Sequence, residues 1–227
     1  EPLEACIAKA RHGAEASGMD LVVASEGSFG PYPPAPFMPC DEEILVLYDA
    51  RDDLLFTHRH LSLETVFGGE EVTDSAGALA FARRMRFPGH QLVVRPHERW
   101  RQGEPVVKGI ADAERLVAAV DALLASHGGC WVETDMRAMA NPTRMRIIGE
   151  AADRFAQELA RSCPVCDACW FRITGAKPGL PCALCGWPTE SIRSHERGCW
   201  ACGHVQFEAR PDGRLAEDPQ HCAHCNP

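Results

Sequence analysis

Hydrophobic positions change period several times along the chain, and each change marks an element. Leu3, Ile7, Ala10 and Ala14 recur at helical spacing and Gly18 is a natural stop, which predicts an amphipathic helix over residues 3–17. Leu21–Ala24 is a short apolar run, expected to be a buried strand. Pro and Gly are so dense from Ser25 to Pro39 that this stretch is expected to be an irregular loop. Ile44–Tyr48 is the clearest strand, with Leu54–Phe56 as its neighbour across the Asp49–Asp53 turn. Asp74 caps a predicted helix that runs to Arg86 and is ended by Pro88-Gly89. Leu92–Val94 and Val106–Lys108 read as strands.

Asp112 caps a helix whose Leu116, Val117, Val120, Leu123 and Leu124 share one face, and Gly128-Gly129 stops it. Trp131–Glu133 is a further short strand. Asn141 then caps a long helix with Pro142 in its first turn, where a missing N–H costs nothing. Its apolar stripe is Met145, Ile148, Ala152, Phe155 and Leu159, and it leads into Cys163. Strands alternating with helices predict an α/β domain over residues 1–162, a mixed sheet flanked by helices. The chain opens on Glu1 inside a predicted helix, so a native N-terminal strand and loop are expected before it.

Composition suits this plan: 227 residues, 45% hydrophobic, are enough for one medium domain and a small appendage. No apolar run approaches the roughly 18 residues of a membrane span, and there is no secretory signal. The net charge of −9 divides unevenly. Residues 1–162 hold 17 Lys+Arg against 25 Asp+Glu, and residues 163–227 hold 6 against 7. Neither part has the cationic excess on which non-specific nucleic-acid binding depends.

Cysteine usage changes the picture of the C-terminal part. Nine of the 12 cysteines lie after residue 162, and eight form Cys-x-x-Cys pairs: Cys163/Cys166, Cys182/Cys185, Cys199/Cys202 and Cys222/Cys225. Each pair lets one turn present two thiolates to one metal, and two turns close a tetrahedral sulfur shell with no open position. Residues 163–227 are therefore expected to form a tandem zinc ribbon with two structural Zn²⁺, which supply the folding free energy that so few large apolar residues cannot. The sequential assignment is one ribbon from Cys163, Cys166, Cys182 and Cys185 and a second from Cys199, Cys202, Cys222 and Cys225; an interleaved one is less economical. Cys169 is left over, and His195, His204, His221 and His224 are expected at the surface. Reduced thiols on this scale imply a cytoplasmic protein.

Two polar clusters are candidates for chemistry. Ser25-Glu26-Gly27-Ser28 follows a predicted strand, where ligands of α/β sheets bind. A plain glycine turn with an exposed Glu explains the cluster equally well. Glu133-Thr134-Asp135-Met136-Arg137 leads on to Asn141-Pro142-Thr143-Arg144. Here two carboxylates could ligate Mg²⁺, and two arginines with a helix N-terminus could hold phosphate. Capping alone accounts for Asn141 and Pro142, but not for Glu133, Asp135 or Arg137.

SEGSFGP (Ser25–Pro31), ETDMRA (Glu133–Ala138), NPTRM (Asn141–Met145) and a double ribbon ending CAHCNP together resemble an uncharacterised bacterial family, known only as a domain of unknown function. That resemblance covers nearly the whole chain and implies no activity. Residues 1–30 are similar to the inosine/xanthosine triphosphate pyrophosphatases: Glu4, Lys9-Ala10, a helix end at Ser17-Gly18, a short strand and an acidic turn. The resemblance implies that Glu4 and Lys9 face a site in which Glu26 is a metal or water ligand. Ala5 stands where that family has Asn, and Ser25-Glu26 where it has paired Asp.

The expectation is a Mg²⁺-dependent nucleotide-phosphate hydrolase or nucleotide-binding protein. Glu4, Glu26, Glu133 and Asp135 would handle metal and water, and Lys9, Ser25, Ser28, Arg137, Asn141 and Arg144 would hold the substrate. The alternative is a non-enzymatic module whose ribbons recruit a protein or nucleic-acid partner.

Overall fold

The computed structural model describes residues 1–227, which form two compact units, Glu1–Ala152 and Asp153–Pro227. No helix is long and apolar enough to cross a membrane. The unit boundary lies within helix α4 (Pro142–Leu159).

The first unit opens with helix α1 (Pro2–Ser17), closed by a capping box between Glu1 and Glu4 and ended by Gly18 at φ 67. Its Cys6 and Ala10 pack on Ile44 and Val46. Those two belong to an antiparallel sheet of order β1 (Leu21–Tyr32), β2 (Ala35–Asp49) and β3 (Leu54–Ser62). The irregular loop predicted over Ser25–Pro39 is instead a long hairpin. β1 is an edge strand, where Pro31 loses no ladder bond to a second neighbour. Beyond Asp41, β2 has only β1 beside it, so Pro39 is tolerated too.

A second antiparallel sheet has the order β4 (Gly69–Val72), β7 (Cys130–Thr134), β5 (Leu92–Arg95), β6 (Val107–Ile110). Helices α2 (Ser75–Arg84) and α3 (Ala113–His127) cover one face, burying Phe81, Leu116 and Val120 with Leu92, Val94 and Val132. Asp74 and Asp112 cap these helices through the N–H groups of Gly77 and Arg115, each at 2.7 Å. The α/β organisation with flanking helices holds. The strands divide between two antiparallel sheets, because hairpins and short returns replace the crossovers a parallel pair requires.

The second unit contains a three-stranded antiparallel sheet in the order β10 (Val205–Ala209), β9 (Ile192–Gly198), β8 (Arg172–Pro178). One buried cluster there joins Cys163, Phe171 and Cys199 with Ala168 against it, and Leu180, Cys182 and Cys222 are buried as well. The three strands are mostly exposed or half-buried, so they carry no apolar alternation that would betray them in the sequence.

Candidate functional site

The second sheet is covered by helices on one face only. On β5, Leu92 and Val94 turn to the helices, so Val93 and Arg95 turn away; on β7, Val132 turns inward and Glu133 away. Lys108, like Val106, is on this free face by ordinary alternation about Val107, which packs on the helix side. Gly109 is left-handed at φ 67 where the β5–β6 register shifts, and this irregularity returns Ile110 to the helix side. Above this face lies an open cavity of about 760 Å³, walled also by Phe67, Trp100, Val106, Met136, Arg137 and Arg144.

Most of the charge on its walls is paired. Arg95 meets Glu133 at 2.5 Å, and the Trp131 indole also donates to Glu133 at 3.0 Å. Arg137 grips Asp135 through Nε at 2.9 Å and Nη2 at 2.6 Å, and Gly109 N–H adds a bond at 3.0 Å. Burial pushes the Asp135 carboxyl up, but these donors outweigh it and hold the group below its ordinary range. Lys108 makes no ion pair.

Arg144 enters from the first turn of α4. Its Nε donates to Glu43 at 2.7 Å, its Nη1 donates to the Met136 carbonyl, and it lies 5.1 Å from the Phe29 ring centre. Glu43 is fully buried, and Gly27 stands directly across from it on β1. The two sequence clusters therefore meet through Gly27 and Arg144, with Glu43 between them. Asn141 plays a supporting part: it caps α4 at Arg144 N–H and donates to the Val66 carbonyl at 3.2 Å.

The carboxylates proposed for catalysis do not form one set. Glu133 and Asp135 line the cavity, as do Arg137 and Arg144. Glu26 is one residue out of phase with Gly27, on the face of the first sheet that packs against α1, and it pairs there with Lys9. Glu4 is exposed and bonds the N-terminal amino group at 2.9 Å. Ser25 and Ser28 lie within β1 rather than in a turn, and neither lines the cavity. Glu43 and Lys108 are not evident from the sequence. The one signal there is the acidic pattern Asp41-Glu42-Glu43 running straight into an apolar strand, which puts Asp41 and Glu43 on the face of Leu45.

In the second unit the eight paired cysteines form two tetrads: Cys163, Cys166, Cys199 and Cys202, and Cys182, Cys185, Cys222 and Cys225. This overturns the sequential assignment. β8 and β9 run antiparallel, with Arg172 opposite Gly198, so the ladder brings the first knuckle to the third. The second knuckle lies at the far end of β8, whose seven residues span roughly 20 Å at about 3.3 Å each. It meets the fourth through the bridge of Cys182 to Glu217.

The geometry fits zinc. Sulfur pairs lie at 3.8 Å (Cys163–Cys202), 3.6 Å (Cys166–Cys199), 3.9 Å (Cys182–Cys225) and 3.7 Å (Cys185–Cys222). A tetrahedron with Zn–S bonds of about 2.3 Å has S···S edges of about 3.8 Å. A disulfide, at about 2.05 Å, is far shorter. Two of the turns close through left-handed glycines, Gly186 and Gly203, whose N–H groups return to the carbonyls of Cys182 and Cys199. Cys169 is outside both tetrads, and His204 and His224 stack on Phe171 and Trp187 instead of joining them.

An α/β unit with a half-covered sheet, followed by a small unit built around two cysteine tetrads, defines the class of protein. The chain belongs to the family described as a domain of unknown function (DUF6671), whose model matches residues 9–227. No curated protein and no solved structure matches it.

Proposed function

We propose that the α/β unit binds a small anionic molecule carrying a flat ring, of the nucleotide class, and that two structural Zn²⁺ hold the cysteine-rich unit together. The observation that carries the first part is Lys108, a cation in the cavity wall with no ion-pair partner, beside arginines whose charge is already matched. Trp100 and Phe67, each about half exposed, offer flat faces on which a ring can stack. The volume of about 760 Å³ falls within the usual ligand-site range of about 300–1,000 Å³.

Binding is favoured over Mg²⁺-dependent hydrolysis. A metal arriving with a nucleotide would have to displace Arg95 or Arg137 to reach Glu133 or Asp135, and Glu26 and Glu4 are not on this face. The test is titration of the purified chain with nucleoside mono-, di- and triphosphates, followed by tryptophan fluorescence and calorimetry, with pyrophosphate release read in parallel. Saturable binding that weakens about tenfold in Lys108→Ala, the scale of a single charge-assisted contact, is expected without turnover. Absence of binding by every nucleotide at millimolar concentration would sink the proposal, and steady pyrophosphate release would restore the hydrolase.

A second role, recruitment of a protein partner by the cysteine-rich unit, draws on Val165 and Leu184. Both are largely exposed although apolar, and each sits between the two cysteines of its knuckle. Replacing both by Asp should abolish capture of such a partner and leave nucleotide binding alone.

A further inference from the structure

We infer that Arg144 reads the negative charge of the cavity ligand, and that Asp41, buried behind it, is a positioning residue that ties occupation of Arg144 to the uptake of one proton. This rests on the cavity binding anions, and not on the anion being a nucleotide.

One edge of the Arg144 guanidinium belongs to Glu43, at 2.7 Å from Nε and 3.5 Å from Nη2, and Nη1 donates to the Met136 carbonyl. One N–H on each terminal nitrogen is left, a pair suited to a carboxylate or tetrahedral oxyanion. The group is held still: Phe29 backs it, Gly27 leaves no slack on the strand side, and Asn141 anchors its backbone. It lines the cavity.

Behind it the charge is unbalanced. Asp41 and Glu43 are both fully buried, two positions apart on β2 and so on one face. Arg144 serves Glu43, while neither oxygen of ionised Asp41 has a donor. The other groups on this face near the pair are Phe29 on β1, opposite Asp41, and on β3 Ser62 and His60, opposite Asp41 and Glu43, with His58, opposite Leu45, stacked on His60. Burial first, and Glu43 second, push the Asp41 carboxyl up to about 7, and Arg144 draws it only partly back. A dianion at Arg144 adds to the repulsion and favours protonated Asp41, which can then donate to Glu43. Binding therefore takes up a proton, and affinity falls as pH rises through about 7.

Sulfate is the probe, a tetrahedral dianion that does not titrate in this range. The full-length, zinc-loaded protein is titrated with sulfate at pH 6 and pH 8, following the Arg144 Nε–H resonance by NMR. The dissociation constant is expected to be about five- to tenfold lower at pH 6, the low end of ordinary coupling between sites. In Asp41→Asn, and in Asp41→Ser as a second uncharged variant, it should be equal at both pH values. In His60→Gln the pH dependence should persist.

An unmoved Arg144 resonance, equal wild-type affinities, a pH dependence that survives in Asp41→Asn, or one that vanishes in His60→Gln would overturn the inference. If sulfate behaves as expected and no nucleotide binds, the nucleotide proposal falls and this one stands. If nucleotides bind and sulfate ignores Arg144, the reverse holds.

Discussion

Gly27 and Arg144 touch so closely that position 27 has no room for a side chain. A Cβ there would lie 2.9 Å from Arg144 Cζ and 2.7 Å from Glu43 Oε1, inside the ion pair itself. The requirement is for space and not for an unusual backbone angle. Gly27→Ala must push Arg144 off Glu43 or bend β1, and overpacking of this kind costs about 1–3 kcal/mol. Urea unfolding followed by far-UV circular dichroism checks it. An unchanged midpoint would mean that Arg144 moves aside freely and that the pair is not rigid.

Asp41 makes stability fall with rising pH. Its folded pKa of about 7 lies above the ordinary 3.8, so between those values the native state holds a proton that the unfolded chain has released. Its favourable contribution is complete below the lower value and is lost as pH rises through the upper one. Asp41→Asn should therefore leave stability near pH 3.5 unchanged and raise it near pH 8. The gain is bounded by about 4 kcal/mol, since each tenfold change in proton affinity is worth about 1.4 kcal/mol. Urea midpoints of both proteins across this range give the answer, and a gain independent of pH would refute the assignment.

Interleaving ties the two cysteine tetrads into one folding unit. The loop joining the two knuckles of either tetrad contains a knuckle of the other. Two zinc ions per chain are expected by metal analysis. Cys182→Ser should lower the affinity of the Cys163 tetrad as well, so that chelator titration releases both ions together. Cys166→Ser and Cys202→Ser should be strongly non-additive, because they damage one site. Additive losses for Cys166 and Cys202 would favour the sequential arrangement.

The split of the carboxylates has its own test. Glu26 belongs to an exposed pair with Lys9, of a kind worth about 0–1 kcal/mol, so Glu26→Gln should alter neither nucleotide binding nor stability appreciably. Glu133→Gln weakens the hold on Arg95 within the cavity and should change nucleotide affinity severalfold, read by the same calorimetry. Equal effects of the two substitutions would show that Glu26 and Glu133, on different sheets, contribute to one site.

Much of this plan is legible in one dimension. α1, α2 and α3 announce themselves by periodicity, and α2, α3 and α4 by their caps, because Asp74, Asp112 and Asn141 act on N–H groups only a few residues away. The face expected of α4 is displaced, since Met145 and Ala152 are exposed and Ile147, Ala151 and Phe155 are the buried positions. The hairpin of β1 and β2 does not. Its prolines resemble loop chemistry until the edge position of β1 is known, and an edge is a property of the sheet. The strands of the second unit are equally hidden, since they present almost no buried apolar face.

The sequence by itself determined which residues are built to serve as metal ligands, because the two-residue gap of each Cys-x-x-Cys pair is a local geometric device. Tertiary structure decided which pairs come together in one tetrad, because that depends on strand direction: an antiparallel ladder carries Cys166 away from Cys182 and toward Cys199. The same division holds in the α/β unit. Composition identified Glu26, Glu133, Asp135, Arg137 and Arg144 as chemically capable. Strand alternation, read across two sheets, then sent Glu26 to one face with Lys9 and gathered the others on the cavity. There Arg144 found Glu43, 101 positions away in the chain, and Gly27 made the room.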